Sequence, residues 1–229
     1  MKLFFGEIYP EVKINEDEQQ HILKVLRMKD GDEIHLTDGK GNIIKGLLKI
    51  EGKKARLNGV QVLESQPRFS PYLHIAIAPT KNIDRIEFFI EKAVEMGISE
   101  ITFLLTDNSE RKVINIEKVM KQVIAASKQS LRYHFPKINP LTKLSDFLHT
   151  VQAENTYVAH CDESLERIPL QQLPQQNSFT FLVGPEGDFS KKEIEILITQ
   201  KIKAVTLGNQ RLRTETAGIY LAAWNYFKI

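Results

Sequence analysis

The chain has 229 residues, of which 42% are hydrophobic and 26% charged, and its formal net charge is +2. That length carries one large or two modest globular domains, and no run approaches the ~18 apolar residues of a membrane helix. A lone Cys161 excludes a disulfide framework and fits a reducing cytosol, while the six histidines lack ligand spacing and make a metal centre an unexpected feature.

The first stretch, MKLFFGEIYPEV, breaks on Gly6, Glu7 and Pro10, too early for a secretory leader. KLFFGEI, DEIHLTDGKGNIIKGLLKI and KARLNGVQVLE are short and strand-like, and DGKGN between two alternating runs predicts a hairpin turn. NEDEQQHILKVLRM interrupts them as one helix, opened by Asn15 and acidic residues that suit a positive helix N-terminus. Seven of the twelve glycines fall in this part, which predicts a small β-barrel over residues 1–66. ESQPRFSP, with Pro67 and Pro71, is then a linker.

From Tyr72 the pattern alternates between strand and helix. YLHIAIA and EITFLL are predicted strands, separated by a helix from Asp84 to Met96 that carries Ile86, Phe89, Ile90 and Ala93 on one face and ends on Gly97. A helix follows over about 117–131, then strands TYVAHC and SFTFLV, a capping box of Ser190 with Glu193, and the strand KAVTLG. The closing helix carries Ala217, Tyr220, Leu221, Trp224 and Phe227. Alternating β and α predicts an α/β domain over 72–229, with a mostly parallel sheet covered on both faces and a ligand beyond the carboxyl ends of its strands.

Charge and glycine are unevenly placed. Glu110 to Lys143 holds eight basic residues against two acidic, which is either a footprint for a polyanion or a solvated helix face. Of the later glycines, Gly184, Gly187 and Gly208 all follow two late strands, where bare backbone lets a flat ligand approach closely. GxxxxGK[ST] and an early GxGxxG are both missing, so a ligand held by its phosphates is not expected.

GPEGDFS, followed about twenty residues later by LGNQRLRTETA, closely resembles the paired signature of the bacterial small-subunit rRNA methyltransferase E family, within the SPOUT class of knotted methyltransferases. HILKVLRMKDGD, KNIDRIEFFIEKAVEMGISEI and ASKQSLRYHFPKI continue the resemblance in the family's order. It implies a PUA-like RNA-binding barrel, a SPOUT α/β domain with a trefoil knot, S-adenosylmethionine as cofactor, a cytoplasmic homodimer, and methylation at N3 of one uridine of 16S rRNA in the small subunit. The departure is Asp188, where relatives commonly carry a second glycine.

By the same resemblance the cofactor lies among Val183, Gly184, Glu186 and Gly187 on one side and Leu207, Gly208, Leu212 and Thr214 on the other, with Ala159 to Cys161 as a third side. Leu207 and Leu212 serve equally as core residues. Uridine N3 holds its proton at neutral pH, so the reaction needs a proton acceptor and a stabiliser of the developing anion. Arg213 is assigned to stabilisation and Glu215 to the proton; Glu215 is also suited to cap the last helix, and Glu186 is the rival base. Arg27, Lys81, Lys128, Gln129, Arg132 and Arg211 are the expected RNA contacts, with Arg85 read as either a contact or an ordinary surface cation. Two alternatives stay open: an RNA-binding assembly factor without catalysis, and a SPOUT enzyme acting at another RNA position.

Overall fold

The computed structural model describes residues 1–162 and 165–228. The chain divides into two compact units, one of residues 1–68 with 124–135 and one of residues 69–123 with 136–229.

In the first unit β1 (Leu3–Glu7), β2 (Lys13–Ile14), β3 (Glu33–Thr37), β4 (Ile43–Glu51) and β5 (Lys54–Val62) form one sheet in the order β2-β1-β3-β4-β5. β1 and β3 pair in parallel and the other neighbours antiparallel. The edge strands β2 and β5 approach each other, so the sheet nearly closes into a barrel around Phe4, Ile14, Ile34, Leu36, Ile44 and Leu48. Gly6 makes β2's approach possible, since a Cβ there would meet the Lys13 carbonyl oxygen at 2.1 Å. The expected helix is shorter than its pattern: α1 (Glu16–Gln20) passes into a π-helical turn (His21–Val25) that seats Ile22 fully in the core.

The DGKGN turn forms as expected. Asp38 Oδ1 accepts from the Lys40 N–H at 2.8 Å, and Asp38 Oδ2 accepts from Asn42 Nδ2 at 2.7 Å. Its glycines have a second reason to be there. Gly39 and Gly41 have φ of +71° and +99°, and a Cβ on either would strike the Phe135 or His134 ring. Residues 124–135 thus pack on this hairpin, with the Gly41 N–H donating to the Tyr133 carbonyl at 2.9 Å.

The second unit holds β6 (Tyr72–Ile77), α2 (Ile83–Glu95), β7 (Glu100–Leu105), the start of α3 (Ile116–Gln129), β8 (Lys137–Lys143), α4 (Leu144–Leu148), β9 (Thr156–Ala159), β10 (Ile168–Pro169), β11 (Ser178–Val183), α5 (Lys191–Thr199), β12 (Lys203–Thr206) and α6 (Thr214–Tyr226). Its seven strands run β10-β12-β9-β11-β6-β7-β8, every pair parallel. β6 and β11 are buried over nearly their whole length, as strands covered on both faces must be. α2 buries Ile86, Phe89, Ile90, Ala93 and Val94, and it packs on α6. That contact explains Gly218, because a Cβ there would fall 2.6 Å from the Phe89 ring. KINPLTK was not expected to be a strand. As β8 it occupies the sheet edge, where Pro140 can be accommodated.

At the amino ends of β6, β7, β8 and β11 lies a cavity of about 590 Å³ with a buried polar network on its wall. His74 Nε2 is 2.7 Å from Thr102 Oγ1, while Glu100 accepts from Tyr72, Asn139 and Lys137 at 2.6–2.9 Å. Burial pushes the His74 imidazole down to about 4, against the pull of Glu100 and with help from Lys137. The folded state therefore holds His74 neutral where the unfolded chain takes up a proton. This contribution to stability is intact above pH 6.5 and is lost as the pH falls from there toward 4. Urea titrations across that window should show a loss of about 2–3 kcal/mol from this group. His74→Asn should flatten the slope, and an equal slope in both proteins would remove the assignment.

Candidate functional site

β12, β9 and β11 are neighbours and parallel, with Ala159 in register with both Val183 and Val205. Their carboxyl ends therefore release three loops side by side: 160–162, 184–188 and 207–212. Val183, Gly184 and Pro185 are buried, Glu186 and Gly187 are exposed, Leu207 and Leu212 are half-buried, and Gly208 is exposed. The two leucines are thus neither sealed core nor free surface, as residues lining a cleft should be. Gly208 has φ +129°, a conformation open to glycine, and a Cβ there would meet nothing within 4 Å. Backbone conformation demands that glycine, and the space above it is clear.

Three hydrogen-bonded ties hold the loops. Thr214 Oγ1, buried at the start of α6, donates to the Gly184 carbonyl at 2.9 Å, which fixes the last helix to the loop after β11. Asn108, just beyond β7, donates through Nδ2 to the Gly187 and Asp188 carbonyls at 3.0 Å each. Asp188 supplies the third. Its backbone has φ +59°, a left-handed conformation that Asp tolerates better than most residues. One carboxylate oxygen accepts from the Cys161 N–H at 2.7 Å and the other from the Phe189 N–H at 2.9 Å. The departure noted in the sequence is thus a latch between the loops after β9 and β11. Gly184 lies beneath it, with a hypothetical Cβ 3.1 Å from Phe189 and 3.2 Å from Asp188 Oδ1.

His160, buried beside this latch, accepts through Nδ1 from the Asp162 N–H at 3.1 Å. Burial holds its imidazole below the ordinary value and Arg167 adds to that, outweighing Asp188 and Asp162. The ring is accordingly a neutral acceptor at this point.

The charged side chains converge on Arg85. Its guanidinium lies 3.9 Å from Glu186 Oε1 and 3.8 Å from Glu215 Oε1, so the two rival carboxylates share one cation. Glu215 is buried in the first turn of α6, and its Oε2 has no hydrogen-bond partner among the described residues. Glu186 sits on the rim and accepts from the Lys81 N–H at 3.2 Å. Arg213 occupies the N-cap position of α6 without a side-chain cap, and neither the Arg213 nor the Arg211 side chain has an ion pair or hydrogen bond among the described residues.

The expected RNA contacts fall into two groups. Lys81 and Arg211 belong to the second unit, and Lys81 is exposed but paired with Glu110 at 2.9 Å. Arg27, Lys128, Gln129 and Arg132 belong to the first unit. Arg27 and Gln129 are exposed, whereas Lys128 is bound to the buried Glu18 and lies 5.8 Å over the Phe4 ring. Arg111 went unassigned among these residues. It donates to the Thr80 carbonyl at 3.0 Å and the Lys81 carbonyl at 2.6 Å, clamping the loop after β6.

Residues 68–225 match the family model of the RNA methyltransferase domain, and residues 14–56 match that of the RNA methyltransferase PUA domain. The chain is 30% identical over 216 residues to ribosomal RNA small subunit methyltransferase E of Rickettsia conorii, covering 91% of this chain and 86% of that protein. A crystal structure described as a probable rRNA-methyltransferase from Porphyromonas gingivalis superimposes with a TM-score of 0.88 at 35% identity, covering 99% of this chain and 98% of the other. A Legionella pneumophila protein described as a methyltransferase, in complex with the bound cofactor SAM, gives a TM-score of 0.85 at 26% identity over 99% of this chain and 97% of that one.

Asp188→Gly keeps the backbone freedom that φ +59° requires and removes only the carboxylate. It should lower stability by about 1–2 kcal/mol, the worth of hydrogen bonds to a charged acceptor, and accelerate amide exchange at Cys161 and Phe189. Unchanged exchange at Cys161 would show that the carboxylate does not hold the loop.

Proposed function

The chain belongs to the RNA methyltransferase family that includes ribosomal RNA small subunit methyltransferase E, and from that premise we propose that it methylates N3 of one uridine in 16S rRNA. The observation that carries the proposal is the emergence of three strand-end loops side by side, next to the start of α6, where a buried carboxylate oxygen has no hydrogen-bond partner among the described residues.

The cleft has features that fit S-adenosylmethionine. Half-buried Leu207 and Leu212 offer apolar walls for an adenosyl group, Gly208 leaves backbone open above it, and Val183 to Gly187 close the other side around the Thr214–Gly184 tie. When bound, the cofactor supplies an electrophilic methyl group carried on a sulfonium. The protein's part is to position the base and manage one proton.

The uridine is presented unpaired, since a ring nitrogen inside a duplex is out of reach. Arg213, exposed and with no carboxylate paired to its side chain among the described residues, is assigned to stabilise negative charge developing on the uracil carbonyl oxygens. Glu215 takes the N3 proton directly or through water. Its carboxylate is buried, and Arg85, 3.8 Å from Oε1, is the cation beside it. Glu186, on the rim and bonded to the Lys81 amide, serves to hold the loop.

Residues 1–66 are proposed as the RNA-binding barrel and 72–229 as the methyltransferase domain, with the knotted path of its class. Arg27, Gln129, Arg132 and Arg211 serve as phosphate contacts that set position, not sequence. Lys128 keeps its place among them only if RNA draws it from Glu18. α6 is apolar on more than its core face and exposes Tyr220, Tyr226 and Phe227, which supports a homodimer built on this helix. Small-subunit RNA as substrate places the enzyme in the cytoplasm.

Calorimetric titration should show S-adenosylmethionine binding, and its absence at millimolar cofactor would favour the assembly-factor reading. Under single-turnover conditions Arg213→Ala should lower methylation about 100-fold, the typical loss of one electrostatic stabiliser. Glu215→Gln should slow the reaction severely at neutral pH and less at high pH, where the uracil ionises unaided. A Glu215→Gln enzyme at full speed with slightly lowered thermal stability would return Glu215 to helix capping.

A further inference from the structure

A second feature occupies the same end of the sheet. Beyond the carboxyl ends of β7 and β8 lies a groove of about 460 Å³, and Lys112, Lys143 and Lys192 reach it from three separate segments. Lys112 lies in the loop after β7, Lys143 ends β8, and Lys192 is the second residue of α5. We propose that this groove seats the phosphate backbone of the RNA substrate next to the site of methyl transfer, a proposal that rests on the RNA methyltransferase reading above.

The three lysines of the groove differ in pairing from several other lysines of the same unit. Lys81, Lys118 and Lys137 are each matched by a carboxylate, Glu110, Glu87 and Glu100 respectively. Lys112, Lys143 and Lys192 are exposed, and their side chains have no ion pair or hydrogen bond among the described residues. The groove does contain two acids, but their oxygens are engaged elsewhere. Glu193 accepts from the Asp107 N–H at 2.9 Å and from the Ser190 N–H at 2.8 Å, and Asp107 accepts from Ser190 Oγ at 2.6 Å. They brace the groove wall and leave the three ammonium groups for an external anion.

The donor chemistry selects an extended polyanion over a small free anion. Tight anion sites are built from guanidinium forks or clustered backbone N–H groups. Here the nearby Asp107 and Ser190 amides are already bonded to Glu193, and what remains is point charge on long, flexible stems. Such groups attract a phosphate chain without reading sequence. The groove also adjoins the cleft through its own wall, because Asn108, next to Asp107, donates to the Gly187 and Asp188 carbonyls. A strand tracking the lysines therefore runs toward the loops that hold Arg213 and Glu215.

The test is a triple variant, Lys112→Ala with Lys143→Ala and Lys192→Ala, assayed with a 16S rRNA fragment over a salt series. Losing three phosphate contacts should reduce the slope of log K against log salt by about 2, from roughly 0.7 per contact on a single strand. KM for RNA should rise about tenfold or more while kcat at saturating RNA and cofactor affinity hold. A triple variant that keeps the wild-type slope and KM, in a preparation whose wild-type protein methylates the RNA, overturns the groove assignment alone. Wild-type protein with no RNA affinity overturns both this proposal and the function it rests on. Inorganic pyrophosphate that binds the wild type at micromolar concentration without displacing RNA would replace the proposal with a small-anion site.

Discussion

Parallel pairing sends the exits of neighbouring strands to one edge of the sheet, and the candidate site depends on that constraint. β11 is hydrogen-bonded to β9 on one side and β6 on the other, and β12 lies beyond β9. Every loop leaving these strands at its carboxyl end must emerge beside the others, although 160–162 and 207–212 are far apart in sequence. The apolar strands SFTFLV and YLHIAI secure the arrangement, because a one-residue slip would send every buried side chain to the opposite packed face, where other neighbours wait. The loops need few further restraints, and Thr214, Asn108 and Asp188 supply them.

Much of this was legible because local chemistry and global packing agree. The alternation of strand and helix from Tyr72 onward, the capping box of Ser190 and Glu193, and the DGKGN turn all take the forms their residues favour. Gly184, Gly187 and Gly208, whose bare strand ends suggested a ligand, lie together at the carboxyl edge of the sheet. What escaped the sequence depends on contacts between distant segments. β8 carries polar residues and Pro140, so only its edge position makes it a strand. Gly39 and Gly41 read as turn residues, yet Phe135 and His134 pack where their side chains would stand. Gly218 lies in the interior of α6, and Phe89 packs where its side chain would stand.

Charge was the least legible property, since pairing decides what a charged residue can do. The basic run from Glu110 to Lys143 suggested a helix face offered to a polyanion. Within it Lys118, Lys128 and Lys137 are committed to Glu87, Glu18 and Glu100, and Arg111 is spent on backbone carbonyls. An internal pair has already given up part of its hydration and must be broken before the cation can serve a ligand. Lys112 and Lys143, at opposite ends of that run, have no such commitment, and α5 brings Lys192 to join them.

The same consideration separates the two carboxylates that the sequence left as rivals. Glu186 and Glu215 stand almost equally far from Arg85, at 3.9 and 3.8 Å. Glu186 is exposed, so water can solvate whatever Arg85 and the Lys81 amide leave unsatisfied. Glu215 is buried, with one oxygen facing Arg85 and the other lacking any internal donor. A buried carboxylate oxygen in that state carries an unmet demand for a hydrogen bond. A ligand group bearing an N–H has the chemistry to meet it, and the uridine N3 proposed above as the target carries one. The proposal that Glu215, and not Glu186, takes that proton rests on this difference in burial and pairing.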